Sequence, residues 1–341
     1  MTVPLRHVFR WDLDKTYLRT DFDTWVGLLR TAVERPERKR TVPGAAALMR
    51  ELRALGHVHI TVLSGSPEQM RPVLEAKLRL DGVQWDEFVL KPSLSNLLRL
   101  RFRALRDQVG YKLPALLRAR TRVPTGAHET LFGDDAEADA LVYSLYADIL
   151  AGRIGETTLR ALLEKAGAYP DATEEVLRLS RTMLHGNVVD RVFIHLERLS
   201  EPSFFSRYGA RIVPIYNYFQ SALVLSCDGL LPPEAAVRQA AVLTIEHDFD
   251  VRDLVAALDD VARRGHVTSA GLESIARAAE TMREPFPLSS EARATLAEGL
   301  RRAPVRPPPT EVAVDYLAAL VDDRARWEAA KRRARREARE P

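Results

Sequence analysis

Short apolar runs alternate with amphipathic stretches through the first 150 residues. His7–Trp11, Val58–Leu63, Phe88–Leu90 and Glu129–Phe132 read as strands. Between and after them, Ala45–Leu55 (ended by Gly56), Glu68–Leu80, Lys112–Arg120 and Ala138–Leu150 carry helical spacing. Strand–helix alternation at these lengths predicts βαβ units, and so an α/β fold with a parallel sheet and helices on both faces. After Gly152 the strand signals fade. Thr157–Ala166, Thr173–His185, Val188–Leu199, Pro233–Thr244, Val251–Arg264, Ser269–Met282 and Ser290–Arg301 all read as helices. A Pro-rich joint, Pro304–Pro309, precedes a last helix over Thr310–Arg339. The pattern therefore predicts an α/β core over 1–151, an all-α domain over 152–303 that selects or docks substrate, and a joint with a C-terminal helix over 304–341.

Composition adds limits. A chain of 341 residues suits two domains, and 46% hydrophobic with 28% charged residues is a globular balance. No apolar run approaches the ~18 residues needed to span a bilayer. The N-terminus enters an apolar, strand-like segment without a small-residue cleavage site, so no secretory signal is expected and the cytoplasm is the expected location. One cysteine, Cys227, excludes an intrachain disulfide and a multi-cysteine metal site. The net charge of +3 has a local origin. Residues 324–341 hold eight Lys or Arg against three Glu, a net +5, so the rest of the chain sums to −2. This tail reads either as a solvated helix end or as a contact for nucleic acid or an anionic membrane surface.

The chemistry gathers at strand ends. Asp12-Leu13-Asp14-Lys15-Thr16 follows the first strand, and in extended backbone two carboxylates two residues apart point to one side. Such a pair equips a chain for covalent phosphoryl transfer, one Asp attacking phosphorus and the other protonating the leaving oxygen. It also reads as a capping pair at a strand–helix junction. The second strand runs into Ser64-Gly65-Ser66-Pro67, where a hydroxyl and amides suit a phosphate oxygen, or Ser66 merely caps a helix. Phe132 leads into Gly133-Asp134-Asp135-Ala136-Glu137-Ala138-Asp139, hard oxygen donors suited to Mg²⁺ or an acidic helix start. All three lie at carboxyl ends of strands, where open α/β sheets bind ligands.

These motifs resemble, over residues 5–150, the haloacid dehalogenase-like (HAD) phosphohydrolase superfamily with its Rossmann-like core. Leu63-Ser64-Gly65-Ser66-Pro67, Lys112, and Leu131-Phe132-Gly133-Asp134-Asp135 with Asp139-Ala140-Leu141-Val142-Tyr143 are similar in wording to the actin-patch type of phosphatidate phosphatase catalytic domain. Two places depart from that family: Lys15 stands where it usually has an acidic residue, and Asp135-Ala136-Glu137 where it has a Ser-Gly-Gln-like stretch. The resemblance implies Asp12 as nucleophile and metal ligand, and Asp14 as general acid and base with its carbonyl on the metal. It further implies Ser64 and Lys112 at the phosphoryl group and Asp134 on Mg²⁺. Asp135 and Asp139 are left to position a water or Lys112, and Lys15, Thr16 and Gly65 to touch substrate. Lys91 is the rival for Lys112, which is preferred as the opening of the helix before the Gly133-Asp134 strand.

Thr16, Ser64 and Lys112 are spaced 48 residues apart, leaving no interval for a large cap domain. The expected function is thus a Mg²⁺-dependent phosphomonoester phosphatase open to a bulky substrate such as a lipid head group (that of phosphatidate), a nucleic-acid end or a phosphoprotein. Two alternatives stand beside it: a nucleic-acid end phosphatase tethered by the basic tail, and a non-catalytic scaffold that keeps the fold. Arg99, Arg101, Arg103 and Arg106 read as a guide for an anionic substrate, or Arg99, Arg103 and Arg106 as one solvated helix face, and Arg35–Arg40 as a polar flap edge. His185, His195 and His247 lack paired zinc spacing. Tyr216-Asn217-Tyr218-Phe219 reads as helix core.

Overall fold

A computed structural model of the chain describes residues 5, 7–19, 40–91 and 105–337. Six strands form one all-parallel sheet: β1 (His7–Asp12), β2 (Val58–Pro67), β3 (Glu87–Lys91), β4 (Glu129–Asp134), β5 (Val189–His195) and β6 (Ile212–Ile215). Their order is β3-β2-β1-β4-β5-β6, so chain order reverses beside β1 and opens a crevice between the ends of β1 and β4.

Alternation along each strand sends side chains to two separate cores. Phe9, Trp11, Phe132, Phe193 and Val213 face one side. There they meet α1 (Ala45–Ala54), α2 (Arg71–Leu80), α7 (Tyr218–Cys227), α8 (Pro233–His247), α9 (Val251–Arg263), α10 (Ser269–Thr281) and α11 (Ser290–Arg302). Leu131, Val192, Ile194 and Ile212 face the other side. They pack on α3 (Leu105–Arg120), α4 (Asp139–Leu150), α5 (Glu156–Ala166), α6 (Pro170–Thr182) and the start of α12 (Tyr316–Glu337). A row of aromatics crosses the first core: Trp11 stacks on Phe132 at 3.9 Å, Phe132 on Phe193 at 5.1 Å, and Trp11 lies 5.5 Å from Tyr218.

The predicted α/β class with helices on both faces is what the chain adopts. The all-α reading of 152–303 needs correction. Val188–Leu199 is not a helix; it holds β5, and β6 follows, both hydrogen-bonded into the same sheet. A boundary at 151 therefore cuts through the sheet rather than beside it. The last helix begins at Tyr316 rather than Thr310, because Asp315 caps it by accepting from the amides of Leu317 and Ala318 at 3.1 and 3.0 Å. The Pro-rich joint lies against α9, with the Arg306 amide donating to the Ala262 carbonyl at 3.1 Å. No helix among the described residues is long and apolar enough to cross a membrane.

Candidate active site

The crevice beside β1 is built from three strand ends and one helix. β1 delivers Asp12, which is buried, at its last position. The chain then turns tightly, with Lys15 in left-handed backbone (φ 62°) and its amide donating to the Leu18 carbonyl at 2.7 Å. That turn brings Asp14 over the bulged end of β2. There Ser64 Oγ donates to Asp14 Oδ2 at 2.9 Å and accepts from the Ser66 amide at 3.0 Å. β4 ends at Asp134, whose Oδ1 accepts from the amides of Ala136 and Glu137 at 2.6 and 2.9 Å. Those bonds close the turn into α4 and leave Oδ2 facing the crevice. Gly133 is required by this turn: a Cβ there would stand 2.5 Å from Asp139 Oδ2.

Lys112 enters from α3 and is buried at the centre. Its Nζ lies 2.8 Å from Asp12 Oδ1, 2.7 Å from Glu137 Oε2 and 2.5 Å from Asp139 Oδ1. Carboxylate oxygens of Asp12, Asp134, Glu137 and Asp139 all lie within 4.8 Å of one another. Lys112 is in direct contact with three of these four carboxylates, and burial and mutual repulsion act on all of them. Burial, reinforced by the neighbouring acids, pushes Asp12 and Asp134 well above the usual carboxylate range. Asp139 is also raised by burial, with Lys112 opposing. Burial works against ionised Glu137 too, yet Lys112 outweighs it and holds that group down. Burial likewise opposes the Lys112 charge, but Asp12, Asp139 and Glu137 hold it well above an ordinary lysine.

Such a surplus of oxygen donors fits a hard cation. Asp12 Oδ2 and Asp134 Oδ2 are held only loosely, both by the Thr16 hydroxyl at 3.5 and 3.4 Å. The four carboxylates together form a cluster that could hold a metal ion.

Of the predicted residues, Asp12, Asp14, Thr16, Ser64, Lys112, Asp134 and Asp139 come together here, with Lys15 in the turn after β1 and Gly65 in the bulged end of β2. Lys112 is the lysine among the carboxylates, though it sits in the middle of α3 rather than at its start. Lys91 lies over the Tyr111 ring at 4.9 Å, and Tyr111 in turn donates to the Ser64 carbonyl at 2.9 Å. Asp135 turns away. Its carboxylate accepts from the amides of Arg198 and Ser200 at 2.8 and 3.0 Å, tying down the loop after β5, so it does not position Lys112. Glu137, in sequence only one of the oxygen donors of the run after β4, is a direct partner of Lys112, and it falls where the chain departs from the resembled family. Arg35–Lys39, Arg99, Arg101, Arg103 and the Arg106 side chain lie outside the described residues, as do the tail side chains beyond Arg326.

Similarity to known proteins bears on the class of chemistry this cluster serves. Residues 11–161 match the family model of the phosphatidate phosphatase APP1 catalytic domain. The match supports a phosphatase, and its span takes in Asp12, Asp14, Ser64, Lys112 and all four carboxylates of the cluster. No curated protein and no solved structure matches the chain. β5, β6 and the helices after α5 lie beyond the matched span.

Proposed function

We propose that the chain is a HAD-type phosphomonoester phosphatase that works with Mg²⁺ through an aspartyl-phosphate on Asp12. The observation that carries this reading is the strand-end Asp12, paired with Lys112 at 2.8 Å and flanked by Asp134 and by Asp14 on Ser64. In the first step an Asp12 oxygen attacks phosphorus and the bond to the leaving oxygen breaks, while Asp14 gives that oxygen its proton. In the second, Asp14 takes a proton from the water that attacks phosphorus, releasing inorganic phosphate and restoring the Asp12 carboxylate.

Ser64 and Lys112 hold and neutralise the transferring group, so most of the acceleration is electrostatic. Glu137 and Asp139 fix the Lys112 ammonium against Asp12. Asp12, Asp134 and the Asp14 carbonyl would hold Mg²⁺, which when bound would neutralise charge on the phosphoryl group. The family match and the short intervals between motifs support a bulky substrate, with phosphatidate as the first choice.

The test is phosphate release by the full chain from phosphatidate in mixed micelles, from a phosphorylated oligonucleotide end and from an aryl phosphate. Release from phosphatidate and the aryl ester with Mg²⁺, lost on chelation, is the expected outcome. Release only from the oligonucleotide would replace the substrate reading. No release from any of the three would remove the phosphatase.

A further inference from the structure

The turn that carries Asp14, Lys15 and Thr16 is held from behind by residues more than 175 positions away in sequence. Tyr218, at the start of α7, donates its buried hydroxyl to the Thr16 carbonyl at 2.6 Å. His195, the last residue of β5, places Nδ1 3.3 Å from the Lys15 carbonyl. The two rings stack on each other, with centroids 5.7 Å apart and planes 13° from parallel. Both sit at fixed points of the fold. His195 lies opposite Asp134 in the β4–β5 register, and Tyr218 also packs on Trp11, one residue before Asp12. A carbonyl oxygen only accepts, so the Tyr218 O–H and an Nδ1–H on His195 are the donors these contacts require.

The carbonyls they hold belong to a turn with reason to move. Lys15 stands at φ 62°, a backbone state unfavourable for a lysine that persists only where its surroundings enforce it. The next residue, Thr16, carries the hydroxyl that lies between Asp12 Oδ2 and Asp134 Oδ2. A shift of Thr16 would therefore shift the group that spaces the two carboxylates.

We infer that Tyr218 and His195 are positioning residues for the phosphoryl-transfer site, clamping the Lys15 and Thr16 carbonyls so that Asp12, Asp14 and Asp134 keep their spacing. The inference rests on the phosphatase reading above. It places part of the catalytic apparatus beyond residue 161, outside the family match, and assigns β5 and α7 a task in the chemistry as well as in the fold.

The experiment compares single variants of the full chain on an aryl phosphate with Mg²⁺, measuring kcat, KM and the thermal midpoint. Tyr218→Phe keeps the ring and removes the clamp. Its kcat should fall about 10- to 100-fold with KM little changed, as for a misplaced catalytic group. His195→Leu should fall in the same way, and His195→Gln, whose amide can still donate, should recover most of the loss. Tyr146→Phe is the control for hydroxyl loss in the core. Tyr146 donates to Glu129 at 2.8 Å, away from the crevice, so this variant should lower the midpoint and keep kcat.

Full kcat in Tyr218→Phe would overturn the inference, as would a loss no greater than its fall in midpoint explains. If Tyr218→Phe does not fold, the histidine pair decides: equal activity in His195→Leu and His195→Gln would overturn it. A wild type without turnover on any phosphate ester would instead overturn the phosphatase reading, and this inference with it.

Discussion

Glu129 stays ionised while fully buried because three partners surround it. Arg10 grips it through two bonds of 2.7 Å, Arg120 through one of 2.8 Å, and the Tyr146 hydroxyl completes the set at 2.8 Å. Burial alone would raise its titration, but Arg10 and Arg120 outweigh that and hold it down to about 2, against 4.5 for a free glutamate. A depressed carboxylate contributes stability that is complete above the unfolded value and disappears as pH falls through the folded one. Glu129→Gln leaves two buried guanidinium groups without their counter-charge, so at neutral pH it should cost about 3–5 kcal/mol. The gap to wild type, measured by denaturant unfolding, should narrow as pH drops from 4.5 towards 2. A gap that stays constant across that window would contradict this account of Glu129. The same rule explains which site residues were legible in sequence. Asp12, Asp14, Ser64 and Asp134 fall at the ends of apolar strands, where a run of hydrophobic residues stops at a polar one. His195 and Tyr218 act through ordinary core positions, and nothing local separates them from other buried rings.

At the scale of elements, pattern served well where one face is wet and poorly where both are covered. α2, α5 and α9 present a single apolar stripe and were readable from spacing. In β5 the run Val192-Phe193-Ile194 is buried on both faces, Val192 and Ile194 in one core and Phe193 in the other. A strand of that kind has no alternation to read, and Val188, Val192, Leu196 and Leu199 fall at helical spacing by coincidence. β6 is four residues long and contains Pro214, tolerated because β6 pairs only with β5 at the edge of the sheet. A short segment with a proline carries almost no strand signal. The correct part of the reading, β1 to β4 with their helices, is also the part in which each element contrasts with the next.

For the whole molecule, the two cores decide what can be separated from what. One face of β1 and β4 is covered by α7 and α8, which come from residues 218–247, and the other by α3 and α4. The tail helix is tied in as well, through the Tyr208 hydroxyl on Asp323 at 3.0 Å and Arg326 on the Ser200 hydroxyl at 3.0 Å. A chain ending at Gly152 would lose β5 and β6 and bare Trp11 and Phe132, which are fully buried in the intact protein. Large apolar surfaces of this kind are not left exposed by stable domains. Residues 1–152 alone should therefore be unfolded or aggregated, shown by loss of the cooperative thermal transition seen with the full chain. A soluble fragment with its own sharp transition would contradict the single-sheet account.

If Asp12 accepts the phosphoryl group, the covalent state of that residue during turnover records it directly. The full chain is mixed with substrate and Mg²⁺, quenched in acid during turnover, reduced with borohydride and digested for mass spectrometry. An acyl phosphate is reduced to an alcohol, whereas a free carboxylate is not. The alcohol is expected at Asp12 only when substrate is present, with Asp14, Asp134 and Asp139 unchanged. Turnover with an unmodified Asp12, or with the alcohol at another residue, would contradict that expectation.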